Sequence, residues 1–249
     1  MTAAVEMAQQ YARSHAQGSV PDYESLLERA YSRLLKPGHV VIDIGAHGGR
    51  HTEPFLAAVG PRGRVFAFEP LPHMASALSS RFSRISNCSV YAKALSRTPG
   101  RAAFTFVRNA PEESGLRRKA YNIPNAETET IQVPVSTLDK EFRWRWRLDY
   151  IKIDTEGAEI DVLEGGRNLI RRCSPIISVE YGRPAYSAYG HTAMTLYEQA
   201  RSMGYVLGDL WGNPIRTPEA WQKVCDAAYW DYFMIPEARI DEWSSALKS

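Results

Sequence analysis

A short apolar run that ends in glycines constrains the fold more than any other part of the chain. Residues 40–44 read Val-Val-Ile-Asp-Ile and lead into Gly45, His47 and Gly49. A strand followed by glycines is typical of a backbone that approaches a ligand closely at the carboxyl edge of a parallel sheet. A second apolar run, residues 64–68, ends in Glu69, where a carboxylate can accept hydrogen bonds from both hydroxyls of a ribose. The chain is therefore predicted to bind an adenosine-containing ligand.

The glycine spacing narrows the choice of ligand. Dinucleotide-binding folds use Gly-x-Gly-x-x-Gly, so that a helix N-terminus can receive a pyrophosphate. Here the spacing is Asp43-x-Gly45-x-His47-x-Gly49. The pattern resembles S-adenosylmethionine sites more than NAD sites.

A third segment gives the resemblance a name. Residues 153–159 read Ile-Asp-Thr-Glu-Gly-Ala-Glu and follow a strand-like run. Together with the Asp43 loop, Glu69-Pro70, the tripeptide at 94–96 and the run at 176–180, this segment resembles the FkbM family of S-adenosylmethionine-dependent methyltransferases over roughly residues 38–182. The family usually has Asn where this chain has His47.

Strand-like and helix-like segments alternate along the chain, which indicates a parallel sheet covered by helices on both faces. The resemblance implies an α/β class I methyltransferase fold, a Rossmann-like three-layer sandwich with a seven-stranded, mostly parallel sheet. Strands are predicted near residues 39–44, 64–69, 88–92, 149–154, 175–181, 205–211 and 229–235. Helices are predicted near residues 51–59, 72–84, 158–171 and 193–203.

Two regions stand apart from this alternation. We assign residues 37–249 to the methyltransferase domain and residues 1–36 to an N-terminal helical segment or lid, with a helix over 23–35. Residues 1–20 are either a mobile lid or a frayed terminus. Residues 101–106 and 130–135 alternate polar and apolar side chains, as strands do. The segment between them, Asn109 to Glu127, is either a loop that shapes the acceptor pocket or a disordered excursion.

Composition excludes several classes of protein. A net charge of +2, from 30 basic and 28 acidic residues, gives no global field to attract nucleic acid. The cysteines Cys88, Cys173 and Cys225 are odd in number and widely spaced, which predicts neither a disulfide framework nor a metal site and favours the cytoplasm. Neither a secretory leader nor a membrane-spanning run is visible, so neither export nor a membrane span is expected.

The family resemblance implies which residues contact the cofactor. Asp43, Gly45, His47 and Gly49 are expected in the cofactor site, with backbone amides of residues 45–49 meeting the methionine carboxylate. Glu69 is expected to bind the ribose; the alternative is a surface ion pair with Arg64 or Arg81. The pair Ala94 and Leu95 matches the place where the family holds adenine.

Acceptor chemistry is expected around Asp154, at the end of the fourth strand of the sheet. Asp154, with Glu156 or Glu159, would orient the acceptor, accept its proton, or hold Mg²⁺ together with Glu180. For Glu159, hydrogen bonding to free amides at a helix start is the favoured interpretation. His47 is a further candidate base, because the unperturbed pKa of histidine lies near neutrality.

Aromatic residues raise two further questions. Residues 143–147 read Arg-Trp-Arg-Trp-Arg, a pattern that stacks on nucleic acids or sugars in other proteins. The charge balance favours an exposed segment whose tryptophans pack on neighbouring elements. Core packing is the favoured role of the C-terminal tryptophans, ahead of an acceptor pocket.

The leading hypothesis is transfer of a methyl group to a hydroxyl of a small molecule, such as a sugar, a glycolipid precursor or a polyketide. A nicotinamide-dependent dehydrogenase is the second hypothesis, although the missing third glycine counts against it. The third is a protein that binds S-adenosylmethionine without catalysis. A homodimer is an open alternative to a monomer.

Overall fold

The main sheet forms largely as the sequence predicts. In the computed structural model, which describes residues 2–227 and 229–249, this sheet has eight strands in the order β10-β9-β11-β8-β7-β1-β2-β3, and a second sheet has the order β4-β6-β5. The strands, in chain order, are β1 (Val40–Ile44), β2 (Arg64–Phe68), β3 (Cys88–Tyr91), β4 (Ala94–Leu95), β5 (Gly100–Val107), β6 (Thr128–Ser136), β7 (Tyr150–Ile153), β8 (Ile176–Glu180), β9 (Tyr205–Gly208), β10 (Pro214–Ile215) and β11 (Asp231–Pro236).

The strand directions confirm a mostly parallel sheet. Strands β3, β2, β1, β7 and β8 run parallel, and β11 is antiparallel to both β8 and β9. One strand, β10, was not predicted, and β9 ends at Gly208 rather than near residue 211. The reason is the buried carboxylate of Asp209, which accepts hydrogen bonds from the amides of Trp211 and Asn213, both at 2.9 Å, and so holds a turn there.

Helices cover both faces of the sheet, as a three-layer sandwich requires. Their bounds are α1 (Ala3–Ala16), α2 (Tyr23–Leu34), α3 (Thr52–Val59), α4 (Pro72–Arg81), α5 (Leu138–Glu141), α6 (Glu159–Gly165), α7 (Arg167–Cys173), α8 (Arg183–Ala188), α9 (Ala193–Ser202), α10 (Pro218–Val224) and α11 (Ile240–Lys248). Alternate strand residues face opposite sides: Ile42 packs in the core under α1, α6, α7, α9 and α10, and Val41 in the core under α2, α3, α4 and α11. The predicted fold class is confirmed.

Two helix predictions need correction. The helix expected over 158–171 is two helices, α6 and α7, because the chain leaves helical geometry at Gly166, whose φ is −117°. Residues 3–16 form a helix whose side chains Ala4, Val5 and Ala8 are buried against the sheet core, so they are not a frayed terminus. The predicted helix over 23–35 is confirmed as α2. The domain boundary at residue 36 stays a prediction.

The second sheet is an insertion between β3 and β7. Strands β5 and β6 pair antiparallel along their whole length, from Gly100 opposite Val135 to Val107 opposite Thr128. Four of its apolar residues, together with Leu71 at the start of α4, form a small core separate from the two cores of the main sheet: Ala94, Phe104, Val133 and Val135. The two strands predicted here are confirmed as β5 and β6.

Among the described residues, no helix is long and apolar enough to cross a membrane.

The tryptophans divide into two groups. Trp221 and Trp243 are completely buried, which confirms core packing for these two C-terminal residues, whereas the prediction is wrong for Trp230, which is 48% exposed. Trp144 and Trp146, which were predicted to pack on neighbouring elements, are instead 76% exposed. The prediction failed because the alternation of Arg and Trp does not indicate which side chains are buried. Among residues 143–148, only Leu148 is buried.

Candidate active site

A cavity of about 310 Å³ lies where β1, β2 and β7 end. The strand order reverses between β1 and β7, and ligands bind at such a reversal in open α/β sheets. Its size suits a small molecule, since ligand sites span roughly 300–1,000 Å³. The residues predicted from sequence that line it are Gly45, His47, Glu69, Ala94, Leu95, Asp154 and Glu156.

The glycine loop is pressed against the end of β7. Gly45 has a φ of 82°, and a Cβ at this position would lie 1.8 Å from the carbonyl oxygen of Asp154. The amide of Asp154 in turn donates to the carbonyl of Ile44 at 3.1 Å. This contact between two backbone segments therefore requires glycine at position 45. One segment carries the predicted cofactor residues, and the other carries the predicted acceptor residues.

Most amides of the loop already have acceptors within the protein. The amides of Gly45 and Ala46 donate to the carbonyl of Phe68, and the amide of Gly49 donates to the carbonyl of Ala46. The amide of His47 donates to Glu69 at 2.8 Å. The expectation that the run of amides from residue 45 to 49 meets a ligand carboxylate is wrong for these four, and Gly48 alone has no acceptor among the described residues.

Asp43 and Gly49 lie away from the cavity wall. The Asp43 carboxylate is fully buried and accepts a hydrogen bond from the Thr52 hydroxyl at 2.6 Å, at the start of α3. Asp43 therefore fixes α3 behind the loop. A direct contact of Asp43 or Gly49 with the cofactor stays a prediction that these positions do not favour.

Glu69 reaches the cavity from the end of β2. Its carboxylate is buried and accepts hydrogen bonds from the amides of His47 and Leu71, both at 2.8 Å. Burial raises its pKa to about 7, although these two hydrogen bonds act in the opposite direction. The alternative role in an ion pair is wrong, because Arg81 pairs with Glu53 and Arg64 contacts the ring of Phe66.

His47 has the backbone conformation that its position demands. Its φ of 45° lies in the left-handed region, which Asn and His adopt more readily than most residues. The exchange of Asn for His therefore preserves the loop. The His47 Nε2 atom is buried and has no hydrogen-bond partner in the part of the chain that the structure describes, so it is available to a ligand.

Sequence reasoning missed Glu24 as a wall residue. Helix α2 places its carboxylate in the cavity wall, where it contacts His51 Nε2 at 2.6 Å. His51 Nδ1 lies 3.0 Å from the Tyr31 hydroxyl, so the ring is held from both sides. No local pattern marks Glu24, because only the packing of α2 against the sheet brings it there. His191 lines a separate cleft beside Tyr186.

Three carboxylates meet beside the cavity, and two of them, Asp154 and Glu156, belong to its wall. One oxygen each of Asp154, Glu156 and Glu180 lies within 4.8 Å of the others. Burial raises the pKa of Asp154, but the Lys152 ammonium at 2.8 Å outweighs it and holds this pKa below its ordinary value. Burial and the Asp154 charge raise the pKa of Glu156 to about 7 and that of Glu180 well above its ordinary value. Of the three carboxylates, Asp154 therefore holds its negative charge most firmly, and Glu180 is displaced toward its protonated form.

These carboxylates do not fit a divalent cation well. Lys152 and Lys119, with side chains 3% and 6% exposed, form ion pairs with Asp154 and Glu156. Oxygen ligands of this kind suit Mg²⁺, but two neighbouring ammonium groups already supply the positive charge and would repel a dication. The arrangement is better suited to holding a hydroxyl and its proton.

The remaining predicted elements have clear positions. Glu159 accepts hydrogen bonds from the amides of Thr155 and Gly157, as expected of a carboxylate that bonds backbone amides, but these amides lie in the loop before α6 and not in its first turn. The segment 109–127 is not a disordered excursion: Pro111–Glu113 form a 3₁₀ turn, and residues 111, 112, 114 and 116 line the cavity. Its role in shaping an acceptor pocket stays a prediction.

The raised pKa of Asp231, a carboxylate next to Glu180 in the sheet, predicts how the stability of the fold depends on pH. Asp231 lies opposite Glu180 in the β8–β11 register, and burial together with the Glu24 charge raises its pKa to about 8. Unfolded aspartate has a pKa near 4, so the stability that Asp231 contributes is present below that pH and is lost as pH rises to about 8. We expect Asp231→Asn to raise the melting temperature by about 5 °C at pH 8 and by much less at pH 4.5.

Scanning fluorimetry at the two pH values measures this effect. Asp241→Asn, an exposed carboxylate on α11, is the control and should shift the melting temperature little at either pH. An equal gain from Asp231→Asn at both pH values would contradict the assignment.

Comparison with known proteins agrees with this geometry. The sequence profile of the Methyltransferase FkbM domain matches residues 43–207. The chain is 26% identical over 188 residues to the 2-O-methyltransferase NoeI of Sinorhizobium fredii, covering 70% of this chain and 76% of that protein. It is 27% identical over 179 residues to the AMB antimetabolite synthetase AmbE of Pseudomonas aeruginosa, of which it spans only 8%.

A solved structure to which the chain aligns shares little sequence with it. The crystal structure of methyltransferase FkbM from Methylobacillus flagellatus aligns with a TM-score of 0.49 and 15% identity over 93% of this chain. The alignment covers 58% of that longer chain.

Proposed function

The chain belongs to the FkbM family of S-adenosylmethionine-dependent methyltransferases, and we propose that it transfers the methyl group to a hydroxyl of a small molecule. The observation that carries the proposal is the juxtaposition of a nucleoside-type cavity with an ionised carboxylate. Glu69, which follows β2, lines this cavity together with Asp154 and Glu156, which follow β7. The resemblance to a 2-O-methyltransferase supports oxygen as the acceptor atom.

The donor half of the cavity offers groups that suit S-adenosylmethionine. The buried Glu69 carboxylate would bind the ribose hydroxyls, and Ala94 and Leu95 supply apolar wall for adenine. His47 Nε2, a buried atom in the cavity lining, has no hydrogen-bond partner among the described residues and suits a carboxylate or a hydroxyl of the donor. This buried, unpartnered nitrogen supports a site that is built for a ligand.

The acceptor half supplies proton transfer. The donor, when bound, provides a methyl group on a sulfonium, so an oxygen–carbon bond forms while the sulfur–carbon bond breaks. Asp154, kept ionised by Lys152, would accept the hydrogen bond of the acceptor hydroxyl and fix its direction. Glu156, with a pKa of about 7, is suited to take the proton that the hydroxyl loses.

The charge of the walls indicates which acceptors fit. Five acidic side chains, Glu24, Glu69, Glu112, Asp154 and Glu156, line the cavity beside the basic Arg50, Lys93 and Lys152. An acidic wall around Asp154 disfavours phosphorylated or carboxylated acceptors and favours neutral polyols. Within the predicted range of sugars, glycolipid precursors and polyketides, we propose a neutral sugar hydroxyl.

Calorimetric titration with S-adenosylhomocysteine, and with NAD as control, tests the donor site first. We expect micromolar binding of the first ligand and none of NAD. Transfer of labelled methyl is then measured to a panel of neutral sugars, sugar phosphates and amines, with and without EDTA. We expect activity on neutral sugars that EDTA does not reduce; transfer to amines instead would contradict the oxygen assignment, and loss with EDTA would restore a role for Mg²⁺.

The other two hypotheses fare worse. Family membership and the glycine spacing both oppose a nicotinamide-dependent dehydrogenase. The non-catalytic hypothesis depended on the exchange of Asn for His47, and the left-handed φ of this residue shows that the exchange leaves the loop geometry intact.

A further inference from the structure

The amino edge of the main sheet carries arginines that lack carboxylate partners. Arg64 begins β2, Arg143 and Arg145 precede β7, and Arg172 lies in the last turn of α7. From residue 143 to 147, the described structure pairs only Arg147 with a carboxylate, that of Asp149 at 3.0 Å. The side chain of Arg172 donates to backbone carbonyls instead. Arg64, Arg143 and Arg145 therefore have no carboxylate partner among the described residues and can bind an anionic partner, while Arg172 adds its positive charge beside them.

These arginines share one surface. The guanidinium carbons of Arg64 and Arg145 lie 5.7 Å and 4.7 Å from the centre of the same ring, that of Phe66. Arg172 Nε donates to the carbonyl of Arg145 at 2.9 Å. The small net charge of the whole chain therefore conceals a local concentration of positive charge. Like charges at this spacing repel one another, and an anionic partner would relieve that repulsion.

Two exposed tryptophans lie in the middle of this basic surface. Trp144 and Trp146 are each 76% exposed, the largest values among the big apolar side chains of the described residues. The buried side chains of Phe142 and Leu148 anchor the segment at both ends, so the two indoles project from a fixed base. We call the surface formed by residues 142–148, Arg64 and Arg172 the Trp-Arg edge.

We propose that the Trp-Arg edge docks this protein on a membrane surface that contains anionic phospholipids. Tryptophan is favoured at the level of the lipid headgroups, and arginines near an anionic membrane bind its phosphates. Arg143 lies over the Trp144 ring at 4.8 Å and Arg172 over the Trp146 ring at 5.5 Å. Each indole thus has one face covered by its own arginine, which suits insertion of its edge between headgroups better than stacking with a nucleic-acid base.

Docking in this orientation leaves the cavity accessible. The Trp-Arg edge lies at the amino ends of β2 and β7, whereas the cavity lies at their carboxyl ends. The membrane would therefore contact the face opposite the cavity mouth. This inference goes beyond the proposed function and does not depend on it.

Flotation of the full chain with vesicles tests the proposal. Vesicles of phosphatidylcholine with a quarter phosphatidylglycerol are compared with vesicles of phosphatidylcholine alone, and the variants are W144S/W146S and R143Q/R145Q. The charge-matched control is R13Q/R29Q, which removes two exposed arginines from α1 and α2. We expect binding to the anionic vesicles only, loss of at least roughly tenfold in either edge variant, and no change in the control.

A second readout separates docking from misfolding. Brominated lipids should quench the fluorescence of the wild-type protein more than that of W144S/W146S, while all variants retain S-adenosylhomocysteine binding. Absence of vesicle binding, or binding that the edge variants share, would overturn the proposal. Binding of a single-stranded oligonucleotide in place of vesicles, lost in the same variants, would overturn it in favour of a nucleic-acid surface.

Discussion

Replacement of Asp154 with asparagine should lower the turnover of methyl transfer by about 100-fold or more, while the affinity for S-adenosylhomocysteine stays within a few-fold of wild type. The reason is the position of this carboxylate on the acceptor side of the cavity, where Lys152 keeps it ionised. Asparagine keeps the shape and an oxygen for the Lys152 ammonium, but it cannot hold an ionised acceptor for a hydroxyl hydrogen. Single-turnover kinetics with labelled donor, together with calorimetry, separates the two effects.

Folding must be controlled in this experiment, because Lys152 is buried and loses part of its compensating charge. Asp161→Asn is the matched control, since its carboxylate also pairs with a basic side chain, Arg97, but outside the cavity. Unchanged turnover in Asp154→Asn, or loss of donor binding in that variant with its fold intact, would show that Asp154 does not act on the acceptor.

Replacement of Glu69 with alanine should weaken the binding of S-adenosylhomocysteine by roughly 10- to 150-fold, which corresponds to about 1.5–3 kcal/mol for lost charge-assisted hydrogen bonds. The buried carboxylate of Glu69 also holds the amides of His47 and Leu71, so its removal loosens the loop as well. Glu69→Gln keeps one oxygen acceptor and should lose less affinity. Glu53→Ala, an exposed carboxylate on α3, should leave the affinity unchanged.

The pKa of Glu69 also predicts how donor affinity depends on pH, which the same titration can measure. Because this pKa is about 7 in the free protein, a donor that binds the ionised carboxylate should bind more tightly as pH rises to about 7 and level off above it. Binding below pH 7 should release a proton, seen as a dependence of the measured enthalpy on the buffer. Binding that is independent of pH between 5.5 and 8 in wild type, or equally tight in Glu69→Ala, would exclude the ribose role.

The main sheet could be predicted from sequence because its strands carry their own signals. Residues 40–44 and 64–68 are mostly apolar on both faces, as strands between two helical layers must be. Gly45 follows the first run and Glu69 the second, and each ends the apolar run. The acidic and glycine residues after these strands also marked the cavity, since parallel strands that end together place them at one edge. Glu69 and Asp154 were found in this way.

The parts that sequence reasoning missed depend on packing between distant segments. Nothing near Glu24 or Lys119 in the sequence shows that one faces His51 and the other pairs with Glu156. The amides of the glycine loop were expected to be free, but the Phe68 carbonyl on the neighbouring strand takes two of them. Hydrogen bonds between segments decide which polar groups remain for a ligand, and a single sequence does not reveal them.

The insertion between β3 and β7 has a consequence for how specificity can diverge among related enzymes. Its three strands pack around their own apolar cluster, and its long loop supplies wall to the cavity while the glycine loop and Glu69 belong to the main sheet. Changes within the hairpin therefore alter the cavity wall without disturbing either core of the main sheet. A chimaera that exchanges residues 97–135 between two relatives should inherit its acceptor preference from one parent and its donor affinity from the other.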